Sequence, residues 1–275
     1  MTIRNVLSIA GSDPSGGAGI QADLKAFSAR GTYGMAALTA LTAQNTRGVT
    51  AIQTLPADFV RAEIEAVFAD IRVDAVKIGM IANAEIAGAV ADALAPYAEN
   101  MPIVLDPVMV AKGGSPLLAP DAMQAVIDRL MPLATLVTPN LPEAAALLGE
   151  PEAVTREQMA DQARRLLGCG PKAVLVKGGH LETEDSPDVL VQAAGLAWLE
   201  GARIATRNTH GTGCTLSSAI AAELAKGASM VSAVTIAKAY LAEAIAAADR
   251  LDVGSGHGPV HHFVELWDEE GVTRR

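Results

Sequence analysis

Aromatic side chains are scarce: four Phe, two Trp and three Tyr in 275 residues. That argues against an aromatic-rich β-sandwich, and against a groove that stacks bases on exposed rings. Basic charge is scarce as well. Twenty-one Lys and Arg face 31 Asp and Glu, a net charge of −10, and no basic run exceeds two residues, so a nucleic acid finds no electrostatic footprint. Cysteine occurs twice, as Cys169 and Cys214, with no CxxC pair. A domain of this length needs no disulfide staple, and reduced thiols in a cytoplasmic protein are expected. The five histidines include no HExxH, and one adjacent pair is not zinc-ligand spacing. Long apolar runs are missing too. The most apolar helix candidates, Ser217–Ala225 and Ser232–Ala248, are cut by Glu223, Lys238 and Glu243, and Val6–Ala10 is too short for the core of a signal peptide. A soluble, cytoplasmic protein with no membrane or nucleic-acid partner is expected, acting on a small molecule.

Small and apolar residues are abundant. Fifty-three alanines and 25 glycines sit in a chain that is 50% hydrophobic, ample for a close-packed core. Short β-like runs alternate with amphipathic helices, the pattern of α/β layering on a mainly parallel sheet. The strands expected are Val6–Ala10, Ala36–Ala43, Val49–Leu55, Ala75–Ile78, Ile103–Leu105, Leu136–Val137 and Ala173–Val176, then a hairpin of Asp188–Gln192 with Gly195–Leu199. The helices expected run from Ser15 to Arg30, from Ala57, and over Ala84–Tyr97, Asp121–Leu130, Leu141–Leu148, Thr155–Leu167, Gly213–Lys226 and Met230–Leu251. Phe59, Ile64, Val67, Phe68 and Ile71 share one face of the second. No repeat, low-complexity stretch or linker interrupts the pattern, and one domain over residues 1–275 is expected.

Four segments carry chemistry. Gly11–Gly19 (GSDPSGGAG) lies between a strand and a helix. It is neither a Walker loop nor a dinucleotide fingerprint, but its glycines let backbone N–H groups approach a ligand at a helix N-terminus. Thr209–Thr215 (THGTGCT) opens an apolar helix, and its glycines allow successive N–H groups to converge into an anion nest suited to a phosphoryl group in flight. Cys214, in the first helical turn, is expected to be more acidic than a free thiol. Asn140 and Glu143 sit three apart at another helix start. They can form a capping box, hold magnesium through hard oxygens, or do both. Asp106, at the end of a buried strand, projects where open α/β sheets bind ligands, with Lys112 on a glycine-rich loop close by. The Lys177–His180 segment repeats that strand-end arrangement. Gln44 presents a donor beside an acceptor, matching the ring-nitrogen and amine edge of an aminopyrimidine, and the Met80 sulfur suits an aromatic ring.

In order along the chain, AGSDPSGGAGIQAD (10–23), ALTAQN (40–45), KIGM (77–80), VLDPVM (104–109), TPNLPE (138–143), VKGGH (176–180), NTHGTGCT (208–215) and GPVHHF (258–263) resemble the ribokinase-like superfamily. Within it they resemble the hydroxymethylpyrimidine/phosphomethylpyrimidine kinases of thiamine biosynthesis, over essentially the whole chain. The resemblance implies a three-layer α/β/α fold with a mainly parallel central sheet, and a homodimer. It implies ATP-dependent phosphorylation of 4-amino-5-hydroxymethyl-2-methylpyrimidine, then of its monophosphate, with Mg2+ as cofactor. By position, Gln44, Met80, Val108, Asp23 and Gly11 fall to the pyrimidine. Gly211, Thr212, Gly213, Cys214 and Lys177 fall to catalysis, and Lys112, Asn140, Lys177, Thr209 and Lys238 to the nucleotide. Glu143, Asp106 and Asn140 fall to the metal. Sugar kinases of the superfamily carry Asp as a base where this chain has Cys214, as pyrimidine and some pyridoxal kinases do. Pyridoxal kinase is the alternative activity. A thiol acyltransferase using Cys214 and His210 leaves Asn140, Glu143 and the Gly11–Gly19 loop unexplained, and a non-catalytic sensor leaves the phosphate and metal positions without a use.

Overall fold

The computed structural model describes residues 2–109 and 120–267. The first helix-and-sheet unit is β1 (Asn5–Ala10), α1 (Gly19–Ala29) and β2 (Tyr33–Leu38), followed by the paired strands β3 (Ala40–Asn45) and β4 (Gly48–Thr54). Then come α2 (Ala57–Asp70), β5 (Ala75–Ile78), α3 (Ala84–Leu94), β6 (Ile103–Leu105), α4 (Pro120–Ala125), β7 (Leu136–Val137), α5 (Leu141–Leu148) and α6 (Arg156–Leu167). The chain continues through β8 (Ala173–Lys177), β9 (Asp188–Gln192), β10 (Gly195–Leu199), α7 (Thr212–Ala225) and α8 (Met230–Ala246). Eight strands form one sheet in the order β10-β9-β8-β7-β6-β5-β1-β2. The six from β2 to β8 run parallel, and the late hairpin adds two antiparallel strands.

Alternation along each strand builds the layers. Leu7, Ile9, Ile103 and Leu105 point to one face, where Val60, Ile86, Leu141 and Met159 bring α2, α3, α5 and α6 onto the sheet. Val6, Val104, Leu136 and Leu175 point to the other, where Phe27, Leu216, Ile220, Val234 and Tyr240 bring α1, α7 and α8. This is the three-layer α/β/α architecture expected.

The local departures have physical causes. The expected strand Ala36–Ala43 is two strands in different sheets, because fully buried Thr39 donates its N–H to Ala10 O (3.0 Å) and its hydroxyl to Met80 O (2.7 Å). That pins the chain at its exit from the main sheet and sends β3 and β4 over the strand ends. The helix expected from Ser15 starts only at Gly19, since the Asp13 carboxylate takes the N–H groups of Ser15, Gly17 and Ala18 for a turn. The segment expected as one helix, Asp121–Leu130, changes at Val126 from α to a π turn.

One polar network sits inside the apolar layers. The Lys77 ammonium, fully buried on β5, lies 2.9 Å from both oxygens of Asp23 on α1. Ser8 of β1 and Ser218 of α7 donate to the same carboxylate at 2.6 and 2.7 Å. Burial alone would lower the Lys77 pKa, but Asp23 holds it above its ordinary value. Removing one partner of such a pair strands the other charge. Lys77→Met is therefore expected to cost about 3–5 kcal/mol, and Lys77→Met with Asp23→Leu to recover much of it, read from urea unfolding followed by circular dichroism. A single variant as stable as the wild type contradicts this account.

Candidate active site

The parallel strands end on one side of the sheet, and the loops after them surround a cleft of about 590 Å3. Gly11 follows β1, Met80 follows β5, Asp106 follows β6, Asn140 follows β7, and Lys177 ends β8. The start of α7 closes one wall, and Thr42 and Gln44 of β3 reach in from the two-stranded sheet. Ligands of open α/β sheets bind at such carboxyl ends.

The α7 end is built for anions. Gly211 caps the helix with φ +78, and a Cβ there would collide with Gly17 O, so no other residue fits the turn. The N–H groups of a helix's first turn lack intrahelical partners and carry the positive end of its dipole. Gly213, in that turn, lets the backbone come close to the charged floor: a Cβ on it would stand 3.2 Å from Lys177 Nζ and 3.5 Å from Asp106 Oδ2. Lys177 Nζ donates to Asp106 Oδ1 at 3.0 Å and lies 3.9 Å from Glu143 Oε2. Burial works against the Lys177 charge, yet Asp106 and Glu143 hold its pKa above the ordinary value. Burial pushes Glu143 up to about 7, against the pull of Lys177.

Asn140 and Glu143 form the capping box. Asn140 Oδ1 accepts from Glu143 N and Glu143 Oε2 accepts from Asn140 N, both at 2.8 Å. Asp106 Oδ2 accepts from Ser217 Oγ at 3.3 Å, and Asp106 and Glu143 both line the cleft with carboxylates, whose oxygens are hard donors. Among the described residues no group of three or more His, Cys, Asp or Glu gathers as a metal cage. Two carboxylates beside a helix N-terminus are a donor set that magnesium can take when oxygens of a bound ligand and water complete its shell.

Cys214 corrects the expectation of an acidic thiol. Burial pushes its pKa up to about 11, and the nearby carboxylates of Asp23 and Asp106 add to this, outweighing the Lys77 charge and the Gly19 N–H. Desolvation of a thiolate costs more here than the helix terminus returns.

Gly11, Gln44, Met80 and Val108 line the cleft together with Gly211, Thr212, Gly213, Cys214, Thr209, Asn140, Glu143, Asp106 and Lys177. Two predicted positions do not. Asp23 is fully buried beneath the floor, satisfied by Lys77, Ser8 and Ser218. Lys238 is drawn to the outer sheet, donating to Asp188 Oδ2 at 2.7 Å and Ser186 O at 2.9 Å. Lys112 lies outside the described residues. Asp13, Thr42, Lys77 and His180 also line the cleft and were not predicted. For Lys77 the signal was present, as a lone charge in the apolar strand AVKI.

The sequence profile of the phosphomethylpyrimidine kinase family matches residues 13–261. The chain belongs to that family. It is 55% identical to a hydroxymethylpyrimidine/phosphomethylpyrimidine kinase of Rhizobium meliloti, over 96% of this chain and 98% of the relative. It is 50% identical to a thiamine biosynthesis bifunctional protein of Geobacter sulfurreducens, over 96% of this chain and 53% of that longer protein. Among solved structures it resembles a Bacillus subtilis pyridoxal kinase in complex with ADP, with a TM-score of 0.88, 38% identity, and coverage of 96% of this chain and 99% of that one. The phosphomethylpyrimidine kinase family thus shares with that pyridoxal kinase the ribokinase-like fold expected from the sequence.

The thiol's environment gives a chemical signature for this family member. At pH 7 Cys214 is a thiol, and its thiolate fraction rises about tenfold per pH unit until it levels near pH 11. Both cysteines are partly exposed, so exposure does not separate them; alkylation of Cys214 by iodoacetamide, mapped by peptide mass spectrometry beside Cys169, should be slow at pH 7 and rise about tenfold per pH unit. Faster labelling of Cys214 than Cys169 at pH 7 contradicts the burial-driven shift.

Proposed function

We propose that this protein phosphorylates 4-amino-5-hydroxymethyl-2-methylpyrimidine with ATP and then phosphorylates the monophosphate, in thiamine biosynthesis. The observation that carries the reading is the meeting, in one cleft, of the α7 anion nest, the Asp106–Lys177–Glu143 charges and the Gln44, Met80 and Val108 side chains. Its relatives of 55% and 50% identity bear the corresponding names. Gln44 reads the pyrimidine edge with its amide, and Met80, Val108 and Gly11 shape the ring site. The N–H groups of Gly211–Cys214 meet the charge on the transferring phosphoryl group. Lys177 sets a positive charge beside the nucleotide phosphates, with Thr209 and Asn140 on the same side. Glu143 and Asp106 hold Mg2+, which neutralises charge on those phosphates.

On this reading Cys214 lines the wall beside the pyrimidine's hydroxyl, which attacks the γ-phosphorus of ATP as ADP leaves. In the first step the nucleophile is a neutral hydroxyl, which must lose its proton. In the second it is a phosphate already largely dianionic, its second pKa being about 6. A base at Cys214 would therefore matter to the first step alone, acting through the small thiolate fraction that its raised pKa leaves near pH 7. The chain acts as one domain over residues 1–275, in the cytoplasm and as a homodimer. No described helix is long and apolar enough to cross a membrane, and the net charge of −10 disfavours nucleic acid.

The decisive assay is a time course of purified protein with Mg-ATP, the hydroxymethylpyrimidine and pyridoxal as a competing acceptor, with products resolved by mass spectrometry. Mono- and then diphosphate on the pyrimidine are expected. Pyridoxal phosphate as the sole product transfers the assignment to pyridoxal kinase. In the same assay Cys214→Ala should lower kcat/KM of the first phosphorylation about tenfold or more beyond its effect on the second. Equal losses in the two steps would falsify a proton-accepting role.

A further inference from the structure

The Gln44 side chain meets two neighbours that disagree with its amide as placed. Gln44 Nε2 stands 3.3 Å from His210 Nε2, and Gln44 Oε1 stands 3.2 Å from Thr42 Oγ1. The His210 nitrogen has a stronger partner, since it lies 2.8 Å from Asp13 Oδ2. That carboxylate also accepts from Ser15 N, Ser15 Oγ, Gly17 N and Ala18 N, and these contacts with His210 outweigh burial and hold its pKa down at about 2. Asp13 is therefore an acceptor only, and His210 Nε2 carries a proton. An amide N–H facing it would set donor against donor.

The other end has the same fault. The Thr42 hydroxyl has one proton, and the carbonyl of Ser12, 2.8 Å away, can only accept it. Toward Gln44 the hydroxyl presents a lone pair, which would face the amide oxygen. Turning the amide over removes both conflicts at once. Oε1 then becomes the second, weaker acceptor of the His210 Nε2–H shared with Asp13, at 3.3 Å, and Nε2 donates to Thr42 Oγ1. Oxygen and nitrogen of an amide have nearly the same shape, so the neighbours' chemistry decides between the two placements.

We propose that the Asp13–His210 pair and Thr42 clamp the Gln44 amide in this single orientation, and that the clamp makes the site selective for a 4-aminopyrimidine edge over the 4-oxo edge. The clamp rests on the functional reading above and adds to it the source of discrimination. An amide has two lone pairs and two N–H groups. The clamp uses one of each, leaving an acceptor for the exocyclic amine and a donor for the ring nitrogen. A 4-oxo pyrimidine presents the reverse pattern, an N–H and a carbonyl. A free glutamine would accommodate it by turning over, whereas a clamped one meets it with donor to donor and acceptor to acceptor. The His210 ring cannot swing away to yield, because its backbone N–H is bonded to Gly258 O at 3.0 Å and the ring packs against Gly17. Asp13, His210 and Thr42 are positioning residues on this account.

The test is isothermal titration of the full protein with two ligands, 4-amino-5-hydroxymethyl-2-methylpyrimidine and its 4-oxo analogue, without nucleotide. Wild type, His210→Phe and Thr42→Val are compared, with melting temperatures to register folding. The wild type should prefer the amino compound by about 100-fold or more. Each variant should bring that ratio to about tenfold or less, mainly by tighter relative binding of the oxo compound. A general structural defect would weaken both ligands alike and leave the ratio in place. Variants that keep the wild-type ratio overturn the clamp while leaving the kinase reading intact. A wild type that binds neither pyrimidine overturns the kinase reading and the clamp together. Thr42→Val alters an exposed hairpin and carries the test if His210→Phe does not fold.

Discussion

The contact on which the rest depends is the buried ion pair of Lys77 and Asp23. Among the described residues, it is where β1, β5, α1 and α7 meet through a shared polar group, and it lies directly beneath the cleft. Two charges out of water are tolerable only when their geometry is good and their remaining hydrogen-bonding capacity is filled. Ser8 and Ser218 fill that of the carboxylate. Because Ser218 belongs to α7, the network fixes how far the helix approaches the strand ends, and with it where the N–H groups of Gly213 and Cys214 stand. An apolar core of the same volume would hold the layers together, but would leave that helix free to slide along an alanine-rich interface.

Above this floor, the cleft sorts charge by position. A lysine shared between Asp106 and Glu143 keeps two carboxylates close together where they would otherwise repel. The arrangement suits a site that must receive polyanionic phosphate and a divalent cation without holding a large net charge of either sign. Cys214 stands between the two charged layers, and burial keeps it neutral. A neutral thiol at this position thus avoids adding a third negative charge next to Asp106.

Around Gln44 the cleft is polar in a different way. Its groups are amide, hydroxyl and imidazole, each with a fixed direction and little charge. The two-stranded sheet that brings Thr42 and Gln44 exists because Thr39 breaks the strand that the sequence suggested as continuous. The Gly11–Gly19 loop supplies Asp13, whose carboxylate organises the turn before α1 and orients His210 from the opposite side of the cleft. On the proposed function, recognition of the pyrimidine and stabilisation of the transferring phosphoryl group are tied through the Thr209–Thr215 segment, which contributes His210 to one and the helix N-terminus to the other.

Hydrophobic periodicity and glycine placement determined the layer architecture, the order of strands and helices, and the segments that carry the site, because these follow from which side chains each element must bury. The capping-box reading of Asn140 and Glu143 is borne out, a local matter of three-residue spacing. What only the tertiary structure decided is which polar residue faces the cleft and which sits behind it. Asp23 and Lys238 stand in motif-like positions but are consumed by Lys77 and Asp188 from distant parts of the chain, while Asp13 and Thr42 came forward unannounced. The acidity of Cys214 was likewise out of reach of the sequence. The helix terminus that lowers it is local, but the burial that raises it is contributed by elements folded over it from elsewhere, and desolvation is the larger effect.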